Sequence, residues 1–298
     1  MNSIELNQVN KYFGSHHAVS DMTFAVPEGA VYGFLGPNGA GKTSTIRMIM
    51  SILYPDSGSL KVLGESVPER VKDRLGYLPE EKGLYKKMRV RELITYFGTL
   101  KGINRKAADR QATVLLDRFG LLDSEHQRCE ELSKGMGQKV QIISTLIHDP
   151  EVIILDEPFS GLDPINVELV RDIILDLKNQ GKTVIFSTHI MEQAEQICDS
   201  ILLINNGRKL LDGRVSDIKK GFSTTLLLDY EGESRHLQQP GVTRINNMGR
   251  TAELSLAPEV DTQELLRHLM SQLTLQSFTL KEPSLHEIFV RTVKESST

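Results

Sequence analysis

Three apolar runs organise the chain: residues 31–35, residues 152–155 and residues 183–186. Each is short, and each gives way at once to glycine or to polar residues. Runs of this length with no polar face describe strands covered on both sides, as in a parallel sheet. Helical patterns alternate with them: residues 44–50 follow the first run and residues 140–147 precede the second. A third helix follows the second run, opened by Pro164, stopped by Gly181 and reaching about Asn179. Strand and helix in alternation predict an α/β domain. Residues 3–13 and 18–26 read as half-buried strands with a turn at 27–29, and His16 and His17 read as loop residues between them. A turn at 54–58 leads to a short strand at 59–63, and residues 75–85 read as a strand running into a loop. From 90 to about 125 helical signals dominate, centred on 91–97 and 110–119 and punctuated by Gly98, Gly102 and Gly120. They predict a helical subdomain inserted over about 85–150. Residues 201–207 read as a strand and turn. Around Lys219-Lys220-Gly221 the pattern changes, to alternating segments at 225–230 and 252–256, a helix at 262–271 and an amphipathic end at 284–290. The expected organisation is therefore a large α/β domain over 1–220 and a small α+β domain over 221–298.

The loop after the first run carries the densest chemistry. Gly36-Pro37-Asn38-Gly39-Ala40-Gly41-Lys42-Thr43, with Ser44 opening the helix, fits the P-loop pattern G-x-x-x-x-G-K-[ST] in its strand–loop–helix setting. The glycines let backbone N–H groups converge on phosphate oxygens, and the helix N-terminus adds partial positive charge. Lys42 would reach the β- and γ-phosphates, and the Thr43 hydroxyl would ligate Mg²⁺. The loop predicts a nucleoside triphosphate without saying what its energy drives.

The other runs add candidates at their ends. Asp156 and Glu157 close the second run, where open α/β sheets bind ligands. Two acids opening a loop carry little meaning alone, but a P-loop upstream calls for a strand-end acid on Mg²⁺. His189 closes the third run; a lone histidine is usually structural, and its place gives this one interest. Tyr12 and Phe13 lie upstream of the P-loop, where an aromatic can stack on adenine, although spacing alone favours ordinary strand aromatics. Ser133 stands where an N-cap residue would, which alone means a capped helix start.

Composition narrows the setting. Of 298 residues, 39 % are hydrophobic and 25 % charged, the profile of a globular protein with a real core. A net charge of −4 gives no reason to expect nucleic acid. Cys129 and Cys198 suggest neither a disulfide framework nor a zinc site. The absence of a long apolar run or signal-like start predicts a cytoplasmic protein, so any membrane part must come from another chain.

At Leu132-Ser133-Lys134-Gly135, upstream of Leu155-Asp156-Glu157-Pro158, the chain resembles the ATP-binding-cassette (ABC) ATPases over residues 3 to about 218. Phe13 matches the family's adenine-stacking aromatic, with Tyr12 as second choice. Residues 36–43 match the P-loop, and Ser133 and Gly135 match the signature motif. Asp156 and Glu157 match the Walker B acid and the catalytic glutamate, residues 160–163 the D-loop, and His189 the switch histidine. Glu80 stands where the family usually has glutamine, and Lys134 and Met136 depart from the usual signature. Both departures resemble the sodium-exporter-type ATPase subunits, which share the Gly-Tyr-Leu-Pro-Glu-Glu run, the Gln-Lys-Val-Gln helix start and a C-terminal addition of this size.

The resemblance implies a mechanism. Two copies dimerise head to tail around two ATP molecules, the P-loop of one facing the signature of the other. Thr43, Asp156 and Glu80 would hold Mg²⁺, Lys42 the β- and γ-phosphates and His189 the γ-phosphate, while Glu157 would activate water. A membrane permease, docked near the Glu80 loop and the helical region, would be driven by closure, with export favoured; the ATPase would sit peripherally on the inner face of the membrane. The alternative is an ABC ATPase without a permease, acting on ribosomes or DNA. The single cassette and the lack of a coiled-coil insertion count against it. A P-loop kinase or GTPase is disfavoured by the signature-like motif, and a non-enzymatic switch by Glu157.

Overall fold

The computed structural model describes every residue except Glu81, Lys82, Ser223, Pro258, Ser297 and Thr298. Glu81, the second acid of the Glu80 loop run, therefore lies outside the described residues. The chain divides into two compact units, Met1–Asp212 and Gly213–Thr298. The composition shift is read at Lys220 instead, because the short helix that opens the second unit is polar and resembles what precedes it.

In the first unit, β1 (Asn2–Phe13) and β2 (His16–Pro27) form an antiparallel hairpin, joined later by β4. The turn is only Gly14-Ser15, with Gly14 at φ 58°. His16 pairs with Phe13 and His17 with Tyr12, so both histidines are strand residues and not loop residues as their adjacency implies. Then follow β3 (Val31–Leu35), α1 (Lys42–Ile49), β4 (Ser57–Val62), β5 (Leu75–Leu78), α2 (Val90–Leu100), α3 (Arg105–Arg118) and α4 (Lys134–Leu146). The unit continues with β6 (Val152–Asp156), α5 (Pro164–Asn179), β7 (Thr183–Thr188), α6 (Met191–Ile197) and β8 (Ser200–Asn205), and ends within β9 (Arg208–Arg214).

A six-stranded sheet runs β5-β6-β7-β3-β8-β9, parallel from β5 to β8. Every residue of β3, β6 and β7 is buried, which is why these strands read as uninterrupted apolar runs. The chain leaves β3, re-enters at the far edge through β5, steps back through β6 and β7, and places β8 on the other side. That reversal puts a crevice beyond the C-terminal end of β3, where such sheets bind ligands. One core joins Ile4, Met22 and Phe24 of the antiparallel sheet to Tyr32, Phe34, Ile154 and Leu202 of the parallel sheet and Ile46 of α1.

The helices α2, α3 and α4 form the inserted helical part. Gly98 sits inside α2 and does not end it. A Cβ there would lie 2.9 Å from Ala108 Cβ and 3.1 Å from Ile147 Cγ1, so this glycine serves close helix packing. Arg91 ties the insertion together: Nε donates to Asp109 Oδ1 (2.7 Å), Nη2 to Thr113 Oγ1 (2.8 Å) and Nη1 to Glu125. The guanidinium holds the Asp109 carboxyl below its ordinary range. This contribution is present above the unfolded value of about 3.9 and is lost as pH falls through the lower folded one. Because Asp109 is half exposed, solvent screens part of it. Arg91→Ala should cost about 1–3 kcal/mol, seen as a lower urea midpoint with nucleotide affinity intact.

The second unit contains α7 (Val215–Lys220), β10 (Thr225–Glu231), β11 (Val242–Asn247), β12 (Thr251–Leu256), α8 (Thr262–Gln272), β13 (Thr274–Lys281) and α9 (Leu285–Ser296). Its antiparallel sheet has the order β11-β12-β10-β13. Leu226, Leu228 and Tyr230 of β10 share a core with Leu254 of β12 and with Leu265, Leu266 and Leu269 of α8, an α+β arrangement. Among the described residues, no helix is long and apolar enough to cross a membrane.

Candidate functional site

The crevice at the end of β3 opens into a cavity of about 380 Å³ lined by Phe13, His16, Ala18, residues 38–44, Glu80, Asp156 and Glu157. Gly36 begins the loop, and a Cβ there would stand 2.1 Å from Ile204 O, so only glycine lets the loop pass β8. Gly39 and Gly41 take φ of 78° and 105°. Gly41 is the N-cap of α1 and brings no side-chain cap, so first-turn N–H groups of α1 are open to an anion. Lys42 is buried; its Nζ donates to Gly36 O (2.7 Å) and Pro37 O (3.1 Å) and stands 3.9 Å from Glu157 Oε1. Burial pulls its pKa down, opposed by Glu157, Asp156 and Glu80.

The acids come from β6 and its first loop residue. Asp156 is 1 % exposed and Glu157 7 %. Glu157 adopts φ 49°, a left-handed conformation costly for a residue with a Cβ. Its Oε1 accepts from His189 Nδ1 at 3.0 Å, bringing the end of β7 to the end of β6. His189 thus meets the site through Glu157 and is itself about half exposed. Asp156 Oδ1 accepts from Ser187 Oγ, while Asp156 Oδ2 is buried with no protein partner among the described residues.

Among the described residues lining the cavity, three carboxylates, Glu80, Asp156 and Glu157, therefore face one ammonium, that of Lys42. That surplus would repel a triphosphate unless a cation intervened. The donors are hard oxygens, and Asp156 Oδ2 lacks a partner, so the site fits Mg²⁺, with Asp156, Thr43 and Glu80 the residues that would hold it. No group of three or more His, Cys, Asp or Glu side chains suited to a metal is found among the described residues. Such an ion keeps most of its shell from water and phosphates.

At the hairpin, Phe13 lines the cavity and Tyr12 does not. Tyr12 stacks on His17 at 4.0 Å between centroids and gives its N–H to Asp56 at 2.6 Å. Phe13 is 47 % exposed with Lys11 Nζ 5.8 Å from its centroid, leaving ring surface for a base. Ser133 and Gly135 are not brought to this cavity. Ser133 is the exposed N-cap of α4, its Oγ accepting from Met136 N at 3.3 Å. The Lys134 side chain lies over Gly161 of the D-loop, and buried Gln138 donates from Nε2 to Pro158 O at 2.5 Å. The sequence reading gives no site role to Ser187, Gln138, His16 or Ala18. Ser187 had a faint signal, as a hydroxyl closing an otherwise apolar run.

A loop after the central strand of a parallel sheet, a buried lysine at the first turn of the following helix and two acids at a neighbouring strand end define a P-loop nucleotide-binding ATPase. Comparison with known proteins narrows the class. The ABC transporter family model matches residues 19–160, and that of the ATP-binding protein DrrA1-3-like C-terminal domain matches residues 213–293. The uncharacterized ABC transporter ATP-binding protein YhaQ of Bacillus subtilis (strain 168) is 39 % identical over 292 residues, 97 % of this chain and 98 % of that one. The Nod factor export ATP-binding protein I of Rhizobium etli is 32 % identical over 98 % of this chain and 93 % of that one. A solved ATP-binding subunit of an ABC transporter superposes with TM-score 0.68 at 30 % identity, covering 73 % of this chain and 92 % of that one. The chain belongs to the ATP-binding, ATP-hydrolysing subunits of ABC transporters.

Proposed function

We propose that this chain powers export through a separate membrane permease, and that two copies must close head to tail on ATP for either to hydrolyse it. The carrying observation is that Ser133 and Gly135 lie outside the cavity of their own P-loop, with Ser133 exposed at a capped helix start. A Cβ on Gly135 would meet only Asn166 Nδ2 at 3.5 Å and Leu162 Cδ2 at 3.8 Å, ordinary contacts. The chain's own packing thus does not demand glycine there, and close approach by a second copy's nucleotide does.

In this reading Lys42 leaves the carbonyls of Gly36 and Pro37 and neutralises the β- and γ-phosphates. Glu157, oriented by His189, takes the proton of the attacking water. Phe13 stacks on adenine, and the signature helix of the second copy closes the γ-phosphate side. Bound Mg²⁺ supplies charge neutralisation across the phosphates. Phosphoryl transfer depends mostly on positioning and charge, so an incomplete site turns over slowly and closure becomes the coupled step.

The permease docks beside the Glu80 loop, in a cavity of about 400 Å³ lined in part by Leu78, Leu84, Phe97, Gln141 and His148. Gln141 Oε1 and His148 Nδ1 are buried there without partners among the described residues. His148 Nε2 meets Leu75 O at 3.0 Å, and burial lowers the ring's pKa, so Nδ1 of the neutral ring is an acceptor. The docking segment accordingly brings an apolar side chain and hydrogen-bond donors. Export is the direction named for the Rhizobium etli relative. Glu80, Lys134 and Met136 support the sodium-exporter-type branch. The test is affinity purification from detergent-solubilised membranes. Recovery of a polytopic protein whose reconstitution stimulates Mg²⁺-dependent ATPase activity is expected; recovery with ribosomes alone overturns the permease.

A further inference from the structure

Between the two acids of the site lies a hydroxyl to which no role has been given. Ser187 is fully buried on β7 and is the register partner of Asp156 across the parallel β6–β7 ladder. Its Oγ accepts the backbone N–H of Glu157 at 3.0 Å and donates to Asp156 Oδ1. One small group thus touches the backbone of one acid and the side chain of the other. A hydroxyl suits the place because it accepts and donates at once. Alanine would leave the Glu157 N–H unpaired beside a left-handed backbone (φ 49°) and would free Asp156 to rotate.

We propose that Ser187 is a positioning residue that sets the acid pair as a unit: it holds Asp156 so that Oδ2 is presented to the metal, and it pins the backbone from which Glu157 projects. This rests on the reading above that Asp156 ligates Mg²⁺ and Glu157 activates water. The orphaned Asp156 Oδ2 is the independent sign of the presentation, since the other oxygen is already committed to Ser187. Partners that orient a metal ligand typically change metal affinity or activity by about 10–100-fold when removed.

The experiment uses the full chain saturated with a non-hydrolysable ATP analogue and titrated with Mn²⁺ by electron paramagnetic resonance. Ser187→Ala should weaken Mn²⁺ by about 10-fold or more and lower kcat at saturating Mg²⁺, with the metal-free affinity for the analogue unchanged. Ser187→Thr, which keeps the hydroxyl, should restore Mn²⁺ affinity to near wild type. If Ser187→Ala does not fold, Ser187→Cys replaces it, because a thiol is a weak donor and should also weaken Mn²⁺. Wild-type Mn²⁺ affinity in the Ala or Cys variant, or equal weakening in the Thr variant, overturns the assignment. Asp156→Asn separates the two levels: if that variant also binds Mn²⁺ normally, the metal reading itself fails.

Discussion

Glu157→Gln should reduce ATP turnover by roughly 10²–10⁴-fold while ATP binding persists and a nucleotide-bound dimer accumulates. The structure says why the effect should be confined to chemistry. Glu157 is buried, and its Oε1 accepts from His189 Nδ1. A glutamine is nearly isosteric, and its carbonyl oxygen can keep that bond. The backbone at φ 49° is held by Ser187 through the main-chain N–H, which the substitution leaves in place. What disappears is the basic oxygen and one of the three negative charges facing Lys42. Less repulsion of the triphosphate should tighten ATP binding in the absence of metal. Phosphate release, equilibrium nucleotide binding and size-exclusion chromatography with ATP together read the outcome. Turnover near the wild-type rate would remove Glu157 from its role.

How far the sequence reached depends on burial. Strands β3, β6 and β7 are buried along their whole length, so their apolar runs were plain, and with them came the α/β class and the strand ends on which Gly36, Asp156, Glu157 and His189 sit. Where burial is partial the signal fades. Strand β11 has no fully buried residue and left no alternation to read. His16 and His17 were misplaced because the turn is two residues long and polar residues continue into the strand. Gly98 read as punctuation, although its lack of a Cβ serves a contact with Ala108 that only the tertiary fold creates. Ser187 had the same difficulty: Asp156 lies thirty-one positions away in the chain, and only the β6–β7 register joins them. Tyr12 and Phe13 are neighbours of equal chemical promise, and the hairpin gives one to His17 and the other to the cavity.

Ser133→Arg should abolish hydrolysis, by roughly 10² or more if a whole set of transition-state contacts is lost, without preventing ATP from binding to a single chain. Ser133 is exposed and does not line the P-loop cavity. Its Oγ caps α4 through Met136 N, and losing that cap costs about 1 kcal/mol, too little to unfold a domain with this core. Nucleotide affinity of the isolated chain should therefore match wild type. In the proposed sandwich a Ser133→Arg homodimer places an arginine in both sites, so neither site should assemble, whereas a single arginine spoils only the site it faces. Ser133→Arg chains retain Glu157, and Glu157→Gln chains retain the signature, so a mixed dimer contains one complete site assembled from both. Each variant alone should be inactive and the mixture should hydrolyse ATP. Activity of Ser133→Arg alone at the wild-type rate would show that one chain suffices, and the head-to-tail sandwich would fall.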